Sequence, residues 1–480
     1  MSRLSLTAVA AAVLAATAVP ALAAAAPAPL ALTIYRSDDS QLYANGAGEI
    51  GAGYATVHER RRVHLAGGMQ TVAIDGLPTA LDAEALNLSF DDAAGVQMLG
   101  QRLLWPGNGA LGADVGRKLT VFGAGGNTLA QGTLVAAGAG GLTIADPVRG
   151  TMLVRDYAAI ALPGNQPRSG ATLQVSLQTQ RAGDAAAQLD YVTAGLGWRA
   201  AYTGVMDDSG AECRLRFSAD ASIGNRSGRD WQDASLKLVA GQPNFAKPSA
   251  PRPMMMAKAV AYSEAAPAQA SMGDYRSYTL QAPVDLANGS VTQVPLYPSR
   301  SVACQRTWLY ENGSSWTPPR PMLSRDFNRG GERVSSELSF KAFDALPAGY
   351  LRVLGTFGGQ REFLGEARID DTPKGQPVSV TLGQAFDLRG SRERSSFDLD
   401  KAAHTLQEGW HIQLSNAGDT ARTVTVREHP DRWRNWTLVS SSNKPAKRST
   451  DTIDFKVRVP AHGSGQLDYV IRYQWTADDE

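Results

Sequence analysis

The stretch IDFKVRVPAHGSGQLDYVIRYQW, residues 453–475, decides the fold class. Ile453, Phe455, Val457 and Val459 alternate with Asp454, Lys456 and Arg458, and Leu467, Tyr469, Ile471, Tyr473 and Trp475 repeat the period. A period of two marks strands with one buried and one wet face. Residues 460–466 between them are turn chemistry, so the segment reads as two long antiparallel strands. Ile412 with Leu414 and Val424 with Val426 continue the pattern upstream. Together they predict an immunoglobulin-like β-sandwich over 388–480.

The same period recurs toward the N-terminus. Leu173, Val175 and Leu177 alternate with Gln174, Ser176 and Gln178, within a central β domain read over 166–387. Short apolar runs at 118–122, 132–135, 142–145, 152–154 and 157–162, separated by Gly-rich turns, predict a small barrel-like β module over 112–165. Residues 28–111 form an N-terminal β segment, with a hairpin expected about Gly67-Gly68. The best short helix candidates are 79–88 and 340–346. Residues 243–272 are rich in Pro, Ala and Ser and predict a mobile insertion; Met254-Met255-Met256 inside it reads as a short apolar contact. The fold class is therefore all-β, multidomain and antiparallel.

Composition agrees with this and excludes much else. The 480 residues carry 47 Lys+Arg and 46 Asp+Glu, a net charge of +1, which gives no electrostatic footprint for nucleic acid. Met1 to Ala23 has a positive start, an apolar Ala-rich stretch and a small-residue cleavage site. It is read as a cleavable signal peptide directing the chain to the periplasm or medium. No later segment is long and apolar enough for a spanning helix, and the strands lack the apolar band of an outer-membrane barrel. The 2 cysteines, Cys213 and Cys304, are a disulfide candidate in an oxidising compartment; two separate thiols are the alternative.

The motifs that carry chemistry are weak. Gly46 to Gly51 matches G-x-G-x-x-G, but strand-like residues follow where a dinucleotide site needs a helix. His58-Glu59 lacks the second histidine of H-E-x-x-H, because Arg62 stands there. Strand alternation puts His58, Arg60, Arg62 and His64 on one solvated face. Ser441 and Lys444 match S-x-x-K without its partner motifs. The Asp207-Asp208, Asp370-Asp371 and Asp398/Asp400 pairs read as turn formers. No catalytic residue, metal site or cofactor is assigned. Trp198 and Trp231 read as core. Arg432, Trp433, Arg434 and Trp436 are the ligand-contact candidates, because indole faces stack on rings while arginines supply donors. The competing reading is an aromatic pair covering the sandwich.

Three stretches resemble a bacterial domain-of-unknown-function family that includes the mucoidy-inhibitor-type proteins. They are LDYVTAGLGWRAAYTG at 189–204, GNRSGRDWQDASLKLVAGQPN at 224–244 and REFLGEARIDDTPKGQPVSVTLGQAFDL at 361–388. The resemblance covers roughly residues 185–475. Its motif residues read as fold signatures, and it implies no catalytic residues. The coiled coil that many relatives insert is missing, and the family label implies envelope physiology. The expected function is a non-enzymatic envelope protein that recognises a protein or a glycan. The alternative is an envelope hydrolase using dispersed carboxylates. Neither the oligomeric state nor the partner is legible.

Overall fold

The computed structural model describes residues 29–479, except 45–50, 92–94, 106–110, 112–113, 139, 163–169, 208–212, 242–267, 273–274, 317 and 328–329. Met1 to Ala23, read as a signal peptide, Gly46 to Ile50 of the glycine motif, the methionine triplet and residues 243–267 lie outside the described residues. Residues 268–272, read as the end of the insertion, form an edge strand paired with Tyr275–Thr279.

The regular structure of the described residues is almost entirely β-strand, with short 3-10 turns at Ser40–Leu42, Ala83–Ala85 and Ala477–Asp479. Both helix candidates are therefore corrected. Within 79–88 there is one such turn, begun by the Asp82 side chain accepting from the Glu84 N–H. Phe340 instead belongs to strand Arg333–Lys341, whose alternation turns Val334, Leu338 and Phe340 inward. Two strand partners, Ser290–Asn312 and Pro377–Asp400, override the local helical preference. No helix among the described residues is long and apolar enough to cross a membrane.

The N-terminal strand Leu30–Tyr35 lies between Trp231–Ala240, to which it is parallel, and Ala55–Leu65. The expected hairpin about Gly67-Gly68 does not form. Ala55–Leu65 pairs with Gly183–Thr193, and Gly68–Leu77 pairs with Ala171–Thr179 in a separate three-stranded sheet. The glycine turn, with Gly68 at φ 91°, carries the chain between sheets. Leu32, Val57, Ile74, Leu173 and Leu189 from both sheets meet in one core. On the outer face His58 and His64 stand across from Asp190 and Asp184, at 2.5 and 2.8 Å. Glu59 turns inward to Arg229, Arg61 and Tyr191.

The small module is an open five-stranded sheet, not a barrel. Its edges, Gly150–Val154 and Ala159–Ala161, do not pair with each other. The last strand has only three residues, all engaged by Thr120, Val121 and Phe122. The module keeps its own core around Leu119, Val121, Leu134 and Ile144.

The family-like motif at 224–231 is a side-chain-built turn. Asn225 Nδ2 donates to the carbonyls of Arg229 and Leu286, while its Oδ1 accepts from Ser227 N and Oγ. Trp231 Nε1 then donates to Ser227 Oγ. Trp198 and Trp231 are fully buried. The Cys213 and Cys304 sulfurs are bonded, with their Cα atoms 5.0 Å apart.

The C-terminal part is a two-layer sandwich within the largest sheet. One layer holds Pro377–Asp400, Thr405–Asn416, Gly463–Gln474 and Trp436–Ser441. The other holds Ser290–Asn312, Arg422–Glu428, Ile453–Val459 and Pro445–Arg448. Strand Arg333–Lys341 pairs with both layers and joins them. Ile453–Val459 and Gly463–Gln474 are thus not partners, as the sequence had suggested. They face one core from opposite layers, with Val424, Phe455, Ile412 and Tyr469 between them. Each such apolar side chain contributes ~1.5–3 kcal/mol on burial.

Candidate functional site

The sandwich brings three irregular segments together by register. Asn312, Glu428 and Ile453 lie side by side across three adjacent strands. The segments 313–332, 429–435 and 449–452 therefore emerge at one end. Their base is pinned by buried polar groups. Glu428 accepts from Asn312 Nδ2 at 2.7 Å and Tyr469 Oη at 2.5 Å, and pairs with Arg392 at 3.0 Å. Burial pushes the Glu428 pKa up, against the pull of Arg392 and its hydrogen-bond donors. Gly313 has φ 78°, and a Cβ there would meet the His429 carbonyl at 2.7 Å, so the crossing of two segments requires glycine.

Between the three segments lies a cleft of about 350 Å³. Segment 313–332 contributes Ser314, Ser315, Trp316 and Pro318. Segment 429–435 contributes Pro430, Asp431, Trp433 and Arg434, with Trp436 beside them. Thr450 and Asp451 close the third side. A hydrogen bond from Ser449 Oγ holds the Asp451 carboxyl below its ordinary range.

The four sequence candidates separate into different roles. Arg432 is 2% exposed and does not line the cleft. Its Nε donates to Glu408 at 2.9 Å, and its other nitrogens donate to the carbonyls of Met322, Ser324 and Phe327. It clamps the segment that carries Trp316. Arg394 adds bonds to the carbonyls of Arg325 and Phe327. Trp433 and Trp436, 2% and 9% exposed, are walls of the cleft. Trp436 Nε1 donates to the Thr450 carbonyl at 2.8 Å and so ties two sides together. Arg434 lies over the Trp433 ring at 4.4 Å and is held there by Asp479 at 2.8 Å. The Arg448 guanidinium covers Trp436 at 4.9 Å.

The exposed indole is Trp316, at 46%, a residue the sequence reading passed over. Its signal was present: an aromatic side chain set in ENGSSWTPPRP, where Ser, Gly and Pro mark an irregular connection. Aromatic residues in such loops have little core to enter. Asp208 of the Asp207-Asp208 pair lies outside the described residues. Both Asp371 oxygens accept from Arg36 Nη1, and Oδ1 also accepts from the Ala348 N–H, while Asp400 accepts from Ala403 N in a turn. Among the described residues no group of three or more His, Cys, Asp or Glu side chains is arranged to hold a metal ion.

This is an all-β chain whose sandwich ends in an aromatic and acidic cleft. A family model described as Domain of unknown function (DUF4139) matches residues 187–477, and the chain belongs to that family. The match spans the motif strands and the whole sandwich, including all three cleft segments. No curated protein matches the chain, and no solved structure does.

Proposed function

We propose that this protein is a non-enzymatic binding protein of the cell envelope and that the sandwich-end cleft recognises a glycan. The observation that carries the reading is the convergence of an exposed indole, Trp316, with two carboxylates, Asp431 and Asp451, and one guanidinium, Arg434, in a concave site. Indole faces take up the apolar faces of sugar rings, and flanking planar polar groups take the hydroxyls. The envelope setting rests on the export signal read in Met1 to Ala23 and on the likeness to mucoidy-inhibitor-type proteins.

Hydrolysis is less well supported. A glycosidase needs a carboxylic acid whose pKa is raised, facing a second carboxylate. Asp451 in the cleft is instead held below its ordinary range by Ser449, and Asp220, Glu337 and Glu428, whose pKa burial raises, do not line the cleft. The test is a glycan array probed with the parent chain and Trp316→Ala. A defined set of glycans retained by the parent and weakened ~10-fold or more by the substitution, as for an anchor residue, supports the reading. Release of reducing ends from those glycans would replace it with the hydrolase.

A further inference from the structure

We infer that strand Val96–Leu104 is a dimer edge, which pairs antiparallel with the same strand of a second copy of this chain. The surface uses none of the cleft residues, and the inference stands whether or not the cleft takes a glycan. Val96–Leu104 is an outer strand of the three-stranded sheet, paired on its inner side with Ala171–Thr179. On its outer side it has no partner strand among the described residues, and no further backbone hydrogen bond there reaches 96–104. A strand of 9 residues so placed offers a row of donors and acceptors ~30 Å long. Exposed edges are normally blunted by proline, lysine or a bulge. This one has neither proline nor lysine and a single charge, Arg102, and it exposes Met98, Leu99 and Leu104.

The strand matches itself when turned about Gly100. Residues directly opposite each other in a ladder share a face. Val96, Met98, Gln101 and Leu103 stand opposite Thr179, Leu177, Val175 and Leu173, which are buried, so they lie on the core side. Gln97, Gly100, Arg102 and Leu104 lie on the other face, because the bulge at Leu99 shifts the alternation by one residue. A two-fold axis through Gly100 then sets like faces together. Leu103 meets the second copy's Val96 on the core side, and Arg102 meets the uncharged amide of its Gln97 on the wet side. The two Arg102 residues stand about 14 Å apart along the ladder, beyond the ~10 Å screening length at 0.1 M salt. The lone charge therefore does not oppose self-pairing. At the axis, a Cβ added to Gly100 would meet nothing within 4 Å.

The flank suits the same occupant. Asn87–Phe90 is the outer strand of the larger N-terminal sheet. Between it and residues 95–98 runs a groove of about 410 Å³, with Leu88, Phe90, Val96 and Met98 in its lining. The two-fold pairing brings the second copy's Leu103 and Leu104 beside Val96 and Gly95, at this groove. The exposed leucine at one end of the strand is thus covered by the groove at the other end, and symmetry repeats the contact.

The experiment sediments the full chain at about 1–200 μM, since a single-strand interface stands at the weak end of specific association. The parent should pass from monomer to dimer across this range. Gln97→Lys places an ammonium opposite the second copy's Arg102 at two symmetric positions and should weaken the dimer about 5–30-fold. Adding Arg102→Glu to Gln97→Lys should restore it. Both natural cysteines are bonded to each other, so Gly100→Cys supplies one thiol, facing its own copy across the axis. Mild oxidation should link it into a covalent dimer, while Gly138→Cys, an equally exposed glycine of the small module, stays monomeric. A parent that is monomeric throughout would overturn the inference, even if it takes up an extended peptide of another protein along this edge. So would a dimer that Gln97→Lys leaves unchanged and Gly100→Cys does not link.

Discussion

Arg432 offers the sharpest division between the sequence reading and the structure. If it contacts a ligand, its removal spares the fold and lowers binding. If it clamps segment 313–332, its removal is felt in stability first. Arg432→Met deletes the 2.9 Å bond to Glu408 and the donors to three carbonyls. Glu408 is itself only 2% exposed, and its remaining ion pair is to Arg394 Nε at 3.4 Å. Breaking a buried ion pair from one side costs ~3–5 kcal/mol. The freed carbonyls can turn to water, so their loss is not added in full. The expected destabilisation of the sandwich is thus ~3–5 kcal/mol. Arg432→Lys should fall between parent and Met, because an ammonium keeps the charge but not the planar fork. The double change Arg432→Met with Glu408→Met should recover part of the loss, because the buried carboxylate leaves with its partner while Arg394 gives up its 3.4 Å pair to Glu408. Urea unfolding followed by near-ultraviolet circular dichroism measures the effect, with proteolysis at 313–332 as the local readout. An Arg432→Met protein within ~0.5 kcal/mol of the parent, with glycan binding abolished, would refute the clamp and restore the contact.

Three further outcomes are expected. Burial alone would raise the pKa of Glu59, but Arg229 and Arg61 outweigh it and bring the value from 4.5 to about 2. Its contribution, about 3 kcal/mol, should be complete above pH ~4.5 and lost as the pH falls toward ~2. Glu59→Gln should remove that acid-dependent fraction in unfolding curves at graded pH, and an unchanged slope would contradict it. Reducing the Cys213–Cys304 bond, which spans 91 residues, should lower stability by about 4–5 kcal/mol in the chain-entropy account, read as the shift in urea midpoint with and without reductant. Asn225→Ala strips the turn at 224–231 of four hydrogen-bond connections and should cost ~2–4 kcal/mol by leaving buried partners unsatisfied; a near-neutral effect would mean that Trp231 alone sets the turn.

Local alternation made the strands legible but not their partners. Ile453–Val459 and Gly463–Gln474 show the same buried face whether they pair or oppose each other across a core, and the short connection serves either geometry. The same ambiguity misplaced the strands around Gly67-Gly68, which pair not with each other but with strands far along the chain at 171–193. Phe340 fell to a helical reading because its strand partners are non-local. Trp433 and Trp436 were legible as a pair from spacing alone. The buried partners of Arg432, Glu408 and the carbonyls at 322–327, were not legible because they are distant in sequence. Trp316 was missed for the matching reason. It joins the pair only after the register row Asn312–Glu428–Ile453 sets the segments side by side.

That row also explains why the sandwich tolerates charge in its interior. Segment 313–332 links adjacent strands that pair antiparallel, where two to five residues would suffice. Ordering each extra residue costs roughly 1–2 kcal/mol of backbone entropy. The apolar return is small: Leu323 is the partly buried hydrophobic residue of this segment that packs on the sandwich core. The segment is instead fixed by Arg432 and Arg394 at its carbonyls, both anchored on Glu408, and by Tyr310 Oη donating to the Gly331 carbonyl at 2.6 Å. A well-packed apolar core would be as stable or more so, and a short hairpin would need no clamp. What the longer arrangement adds is one exposed indole held at a fixed place beside Asp431, Asp451 and Arg434. Rigid support behind an exposed side chain is what the proposed glycan recognition requires.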